Sequence, residues 1–486
     1  MDYLRLPLAQ IHQALVEGKV TPLDLTKEAL RRAKESKSNA FEILLEEQAI
    51  VFASTLTSPE PDNLLWGIPY LAKDNFSTKG IPTTASSNIL VGYRPVFDAT
   101  VIARLKQKKC VLIGKTTLDE LGMGGSGATG HLGKTFNPYD PSHTHIIGGS
   151  SSGSCAAVAE GIVPFALGSD TGDSVRKPAS YGGVIGLKPT WGRISRYGLF
   201  PFAPSLDHVG FFTRYAEDAA ILLEALSGHD ELDVTSSSRP KEDYASKCKL
   251  SLNQPRIAVL TDVLSTIKDE TILHAFEDSI KKLEGQGCIM DRIAFGKELL
   301  EAICAAYIVI SSAEATSNNA NLDGIKFGPS PSGNTYQEVM RTARTKGFSG
   351  LTKKRFVIGS FCLMKENQEA YFLCAQKTRA KIVSRTAEIL SDHDFIFVPA
   401  TPTVAPRFDQ TTDKLMNENR IADNHLILGN FAGLPSITLP LGYENGLPFG
   451  ANFMGRAFEE GSLLAMARMF ESITGLGGAC AYGEDK

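Results

Sequence analysis

The sequence predicts an α/β protein built on a sheet of short strands covered on both faces by helices. Three observations predict it. Apolar runs of four or five residues recur along the chain, and polar amphipathic stretches of helical length lie between them. The stretches that carry candidate chemistry are spread from Lys73 to Asp423. One large domain over residues 1–486 therefore fits better than the two or three that length alone permits.

The first clear element starts at Thr21-Pro22-Leu23-Asp24. It offers an N-cap hydroxyl, a proline in the first turn and an acid near the positive end of the helix dipole. The helix is expected to run through Arg31-Arg32-Ala33, inside a helical N-terminal segment of about residues 1–60. Strands are expected at Val111-Leu112-Ile113, Val184 to Leu187, Ile257 to Leu260, Phe395 to Val398 and Ser436 to Leu439. Helices are expected at Ala216 to Leu226 and Thr271 to Leu283. Residues 229–254 and 407–420 are the most polar and loop-like, and the Gly-rich tail of residues 475–486 is expected to be loose.

With 486 residues and 43% hydrophobic content, the chain can bury a large core. A net charge of −4 argues against a broad nucleic-acid-binding surface, although RNA contacts can reside in a partner. The eight cysteines form no C-x-x-C pair and read as free, mostly buried thiols of a reducing compartment. The nine histidines show no metal spacing. His143 and His145, two apart, sit in a Pro/Ser/Thr turn, and a metal site needs three or four matched ligands. Met1-Asp2-Tyr3 does not open an export signal, and no run of about twenty apolar residues is expected to span a membrane. The expectation is a cytoplasmic enzyme, with an organelle as the alternative.

Three segments carry the chemistry. Gly67-Ile68-Pro69-Tyr70-Leu71-Ala72-Lys73-Asp74-Asn75 places a lysine at the end of an apolar run. Gly148-Gly149-Ser150-Ser151-Ser152-Gly153-Ser154 is a serine-rich turn. Gly168-Ser169-Asp170-Thr171-Gly172-Asp173-Ser174-Val175-Arg176-Lys177-Pro178 delivers one serine from a glycine-bearing turn. A serine hydroxyl is a poor nucleophile until a base takes its proton, and a lysine with a pKa near its free value of about 10.4 cannot be that base. Burial lowers a lysine pKa by several units. A neutral Lys73 can then take a proton from Ser150 while Ser150 takes one from Ser174, because a hydroxyl both donates and accepts. Glycines let successive backbone N–H groups converge on one spot, where an oxyanion of acyl transfer would sit.

Simpler readings of these segments exist. A Ser/Gly heptapeptide is usually a linker. Here Ile146-Ile147 precedes it and Cys155-Ala156-Ala157-Val158-Ala159 follows, which is buried context on both sides. A phosphate loop would need Gly-x4-Gly-Lys-Ser/Thr, which the chain lacks. Most lysines are solvated, but the Lys73 stem leaves an apolar neighbourhood.

Together, in this order, the three segments resemble the amidase signature family, whose two serines also stand 24 positions apart, as 150 and 174 do here. The resemblance implies an α/β amidase signature fold with a large mixed central sheet. It implies Lys73 as general base, Ser150 as the bridging serine in a cis peptide, and Ser174 as the acyl nucleophile. The backbone N–H groups of Thr171, Gly172, Asp173 and Ser174 would form the oxyanion hole. Many members have glycine at the position of Asp173. A backbone N–H survives that change, but a carboxylate beside an oxyanion slows reaction unless it is paired, with Arg176 or Lys177 as candidates.

Further stretches resemble the glutaminase branch of this family, which works with tRNA-dependent amidotransferases. They are Ala313 to Asn318 with Leu322 to Gly328, Lys353 to Phe361, and Asp423 ahead of Asn430 to Pro435. The resemblance implies that Arg355 holds the α-carboxylate and Asp423 the α-ammonium of glutamine, with Tyr307 a further pocket residue. A planar guanidinium grips a carboxylate at two points, and a free amino acid offers one charge of each sign. The implied partners are B and C subunits, the latter small, with charged tRNA reached through the complex. No cofactor is expected in this chain, and ATP with Mg²⁺ is expected in a partner. Gly124 to Gly130 departs from the branch pattern at Gly127 and Ala128, so this wall of the pocket is expected to differ. Just before it, Asp119 and Glu120 are read as a solvated helix end, or otherwise as the lining of an ammonia path. Two other readings stand beside this one: a free-standing amidase of small amides, and a non-catalytic scaffold of the same fold.

Overall fold

The computed structural model describes residues 1–411 and 421–481, and within them eleven strands pair into a single sheet. They are β1 (Phe41–Leu44), β2 (Pro69–Lys73), β3 (Val111–Thr116), β4 (Phe165–Asp170), β5 (Ile185–Lys188), β6 (His208–Thr213), β7 (Arg256–Leu260), β8 (Ile289–Ile293), β9 (Phe395–Pro399), β10 (Ser436–Glu444) and β11 (Leu447–Gly455). Their order across the sheet is β1-β3-β2-β4-β6-β5-β10-β11-β9-β7-β8. β2 is parallel to β3 and β4, and β7 is parallel to β8 and β9. The other pairings are antiparallel, so the sheet is mixed, as the resemblance implied.

Both faces are covered, and the strand period shows how. Successive side chains of a strand point to opposite faces. Ile257 and Val259 of β7 and Phe395 and Phe397 of β9 enter one core cluster, with Phe276, Ile280 and Leu463 from helices. Ala258, Leu260, Ile396 and Val398, the residues between and after them, enter a second cluster with Ile303, Ile310, Phe356 and Ile382 from other helices. A near-continuous apolar strand is the signature of burial on two faces.

The helix expected after Thr21 runs Pro22–Glu35. Thr21 accepts from the Asp24 N–H and Asp24 accepts from the Thr21 N–H, a reciprocal cap that leaves neither donor unpaired. All five expected strands form, as do helices Ala216–Leu226 and Glu270–Gly285. The N-terminal segment is not purely helical. Phe41–Leu44 adds an edge strand to β3, and its four half-buried residues are too short for a readable alternation. Within 229–254 a short helix, Tyr244–Lys247, forms. In the tail, Gly478 N–H donates to Arg214 O at 3.0 Å and Ala481 N–H to Ala159 O at 2.8 Å, so residues 475–481 are held rather than loose. Residues 412–420 and 482–486, which share the two loop-like expectations, lie outside the described residues. Helix Lys297–Asn318 belongs to a stretch with the length and apolarity of a membrane span, contrary to the expectation from sequence. Its Leu300, Ile303, Tyr307 and Ile310 are instead buried in the second core cluster.

Candidate active site

The site forms where neighbouring parallel strands end. Ala72 of β2 lies opposite Leu167 of β4, so the C-terminal ends of the two strands stand side by side. Open parallel sheets bind ligands outside such strand ends. β2 ends on Lys73, and β4 ends on Ser169 and Asp170, from which the turn 171–175 leads into the short helix Arg176–Tyr181. The serine-rich turn leads into helix Ser152–Ala159 across the same ends, and its Gly149–Ser150 peptide is cis. Gly149 is obligatory here for lack of space: a Cβ would lie 2.0 Å from Asp119 Oδ2.

Lys73 is fully buried. Its Nζ lies 2.8 Å from Ser150 Oγ and 2.9 Å from Ser169 Oγ. Among the described residues it makes no ion pair, while Lys115 one strand away meets Asp74 at 3.0 Å. Burial pushes the Lys73 pKa down to about 7, against the pull of the more distant carboxylates of Asp119, Asp170 and Asp207. At neutral pH much of this amine is therefore uncharged and able to accept a proton. Ser174 is buried in the same wall, and its carbonyl accepts from the N–H of Ser151, next to Ser150.

The turn that carries Ser174 is held by its ends. Asp170 accepts from the Val175 N–H at 2.9 Å and pairs with the guanidinium of Arg176 at 2.9 Å. Burial opposes the Asp170 charge, yet Arg176 holds this carboxyl well below the usual range. Arg176 also donates to Gly172 O at 2.8 Å and Asn430 Oδ1 at 2.6 Å. Thr171 is fixed through its hydroxyl on Asp207 at 2.6 Å. Among the described residues, the backbone N–H groups of Thr171, Gly172 and Ser174 donate to no protein acceptor. Buried amides are almost always paired, so such a group of open donors is poised for an anion.

Asp173, the departure from the family pattern, turns to Lys177, with Oδ2 and Nζ 3.6 Å apart. Arg176, the other candidate for this pairing, is committed to Asp170. Lys177 also donates to the backbone carbonyl of Asp423 at 3.2 Å. Burial works against the Lys177 charge, but Asp173, Tyr181 and Asp423 hold the ammonium well above its ordinary range. Asp423 itself is half-buried.

Arg355 sits on the inner side of helix Gly350–Leu363, buried against helix Lys297–Asn318. Its guanidinium carbon is 5.3 Å from the Phe202 ring centroid, and Nη1 is 3.5 Å from Ser311 Oγ. Nε is buried without a hydrogen-bond partner, and among the described residues no carboxylate pairs with the group. Tyr307, one turn from Ser311, packs on the nucleophile turn: a Cβ on Gly172 would lie 3.0 Å from its hydroxyl. Gly172, Tyr307 and Arg355 thus form a continuous wall. Burial raises the Tyr307 pKa, against Arg355, so its hydroxyl stays protonated.

Asp119 and Glu120 are not a solvated helix end. Both are buried. Asp119 accepts from the N–H groups of Gly127, Ala128 and Thr129 at 2.9, 3.1 and 3.1 Å and from the Thr129 hydroxyl at 2.8 Å. The altered segment is thus tied to the site through its backbone, which does not depend on the replaced side chains. Glu120 accepts from the Ser87 hydroxyl at 2.6 Å and the Ser349 N–H at 2.9 Å, fastening the start of the helix that carries Arg355. Of the two histidines in the 140s, His145 bonds Asp140 at 2.8 Å while His143 stacks on Phe136.

Sequence reasoning missed Ser169 and Asn75. Asn75 Nδ2 donates to Ser169 Oγ at 3.0 Å, the same oxygen that accepts from Lys73 Nζ. Asn75 and Ser169 both belong to the chemistry-bearing segments, but their contact joins positions 94 residues apart.

Comparison with known proteins agrees with this geometry. A family model described as Amidase matches residues 24–464. The chain is 39% identical over 477 residues to the A subunit of the glutamyl-tRNA(Gln) amidotransferase of Oenococcus oeni, covering 97% of each. It superposes on the crystal structure of the corresponding A subunit from Thermotoga maritima with a TM-score of 0.79 and 36% identity, covering 97% of this chain and 95% of that one. It superposes on the native peptide amidase of Stenotrophomonas maltophilia with a TM-score of 0.80 and 27% identity, covering 96% of each.

Proposed function

The chain belongs to the amidase family, and from that premise we propose that it is the glutaminase subunit of a tRNA-dependent amidotransferase. Ser174 attacks the side-chain amide carbon of glutamine. Its proton passes to Ser150, whose own proton passes to neutral Lys73. The backbone N–H groups of Thr171, Gly172, Asp173 and Ser174 receive the oxyanion. Lys73 returns a proton to the leaving nitrogen, ammonia departs, and water hydrolyses the glutamyl ester on Ser174. Arg355 takes the α-carboxylate, Asp423 the α-ammonium, and Tyr307 closes the wall between them. Ammonia then serves a partner assembly of B and C subunits, where ATP and Mg²⁺ activate the glutamate or aspartate carried by tRNA.

The observation that carries the reading is Arg355, a buried guanidinium with no carboxylate partner among the described residues, joined by Tyr307 to the turn of the nucleophile. A buried charge without a counterion is costly, and a substrate carboxylate removes that cost. An amidase of neutral amides has no use for it. The likeness to a peptide amidase favours a second reading, in which the lone chain hydrolyses amides without partners.

One experiment separates them. Glutamate release from glutamine is measured with the chain alone, with B and C subunits, and with charged tRNA and ATP added. Release that rises strongly with partners and charged tRNA supports the amidotransferase reading. Partner-indifferent hydrolysis of many neutral amides establishes the other.

A further inference from the structure

Helix Gly350–Leu363 has two working faces. Its inner face buries Thr352, Arg355, Phe356, Gly359 and Cys362. Its outer face exposes Val357 (68%), Phe361 (44%) and, at its C-cap, Met364 (51%). These stand at i, i+4 and i+7, so they form one stripe. The stripe continues into the next segment: Tyr371, 45% exposed, sets its ring edge-on to Phe361 at 5.1 Å, and Leu373 beside it is 43% exposed. Scattered apolar residues on a surface mean little, but a contiguous stripe marks an interface.

The charge around the stripe selects the occupant. Between residues 350 and 381, five lysines (Lys353, Lys354, Lys365, Lys377 and Lys381) stand against two acids, Glu366 and Glu369, on a chain whose net charge is −4. Among the described residues none of these lysines sits in an ion pair. Some surface cations elsewhere are matched, such as Arg31 by Glu28 and Glu35 and Lys34 by Glu46. We infer that this outer face docks an acidic polypeptide segment bearing apolar side chains, contributed by a partner subunit. Phosphates of a nucleic acid would answer the lysines but leave Val357, Met364 and Leu373 in water, whereas an acidic amphipathic segment answers both. The inference rests on the amidotransferase reading and deepens it. The docked helix is the one that carries Arg355.

Cys374 provides the readout. It is the exposed cysteine beside Leu373, and the other seven are buried. Maleimide labelling of Cys374 is timed in the full chain, alone, with B and C subunits, and with charged tRNA alone. Co-elution on size exclusion reports assembly. The expected result is at least ~10-fold slower labelling with the subunits, with no change from tRNA alone. In Val357→Asp/Phe361→Asp, labelling with the subunits is expected to stay at the lone-chain rate and co-elution to be lost, with melting unchanged. Wild-type assembly with unprotected Cys374 overturns the docking surface and leaves the complex reading intact, and so does assembly that survives both substitutions. Protection by tRNA alone overturns the polypeptide occupant. Should the wild type fail to co-elute with either subunit, the complex reading falls and this surface falls with it. The wild-type footprint decides even where the double variant does not fold.

Discussion

Lys73 and Lys115 stand on adjacent parallel strands, Lys115 paired in register with Ala72 and Lys73 with Thr116; both are fully buried, and only Lys115 meets a carboxylate. Lys115 is a structural cation, held by Asp74 at 3.0 Å and by the Phe76 carbonyl at 2.9 Å. Lys73 spends its contacts on hydroxyls. One strand apart, the same side chain is fixed as an ion in one case and poised as a base in the other, because a buried charge persists only where an opposite charge offsets desolvation.

Ser174→Ala and Lys73→Arg are each expected to lower glutamine hydrolysis at least ~10³-fold, since members of one catalytic unit fail together. Arginine supplies donors but stays charged and cannot act as a base. The double variant should be no worse than either single one. Retention of more than a tenth of wild-type kcat by Ser174→Ala would sink the assignment of the nucleophile.

The pH profile should carry the Lys73 amine. Its pKa near 7 lies below the ordinary lysine value, so the reactive neutral form is lost as pH falls. kcat/KM is expected to drop about tenfold per unit below that point. The charge of Asp119 raises the Lys73 pKa, so Asp119→Asn should move this acid limb to lower pH. A limb that stays in place, or moves up, would show that the titrating group is not Lys73.

Arg355→Ala is expected to raise KM for glutamine roughly 10²-fold, the scale of a buried charge pair lost on one side. KM for propionamide, which lacks the carboxylate, should change less than about threefold. Equal effects on both substrates would remove the carboxylate clamp.

Asp173→Gly separates stability from chemistry. Asp173 and Lys177 are both buried, and removing the carboxylate leaves the ammonium with Asp423 as its remaining acidic neighbour. A loss of about 3 kcal/mol in unfolding free energy is expected from breaking such a pair. Turnover per folded molecule should hold or rise, because the carboxylate is turned from the oxyanion site. A large fall in kcat with unchanged melting would instead give Asp173 a direct part in the reaction.

Strands dominated by Val, Ile and Phe, such as Phe395 to Val398, were legible because two-sided burial writes a continuous apolar run. β4 was not: Phe-Ala-Leu-Gly-Ser-Asp dilutes the run with the very residues that serve the site. β2 opens with proline and ends with lysine; its apolar run was legible, but no strand was assigned there from sequence.

By itself the sequence determined the family and the candidate reactive set. Lys73, Ser150 and Ser174 stand in short Gly- and Ser-bearing segments, and Arg355 and Asp423 entered as candidates through the family resemblance alone. Only the tertiary structure decided their states. It left Lys73 without a counterion, set Ser169 and Asn75 beside it, and turned Asp173 to Lys177. It buried Asp119 under the backbone of 127–129 and put Arg355 on the inner face of a helix with an apolar outer one. The reason is physical. A motif specifies donors and acceptors along a few residues of chain. Desolvation and pairing depend on which distant segments exclude water from a side chain and whether they bring a charge with them, and the Lys73–Ser150 contact alone closes a loop of 77 residues.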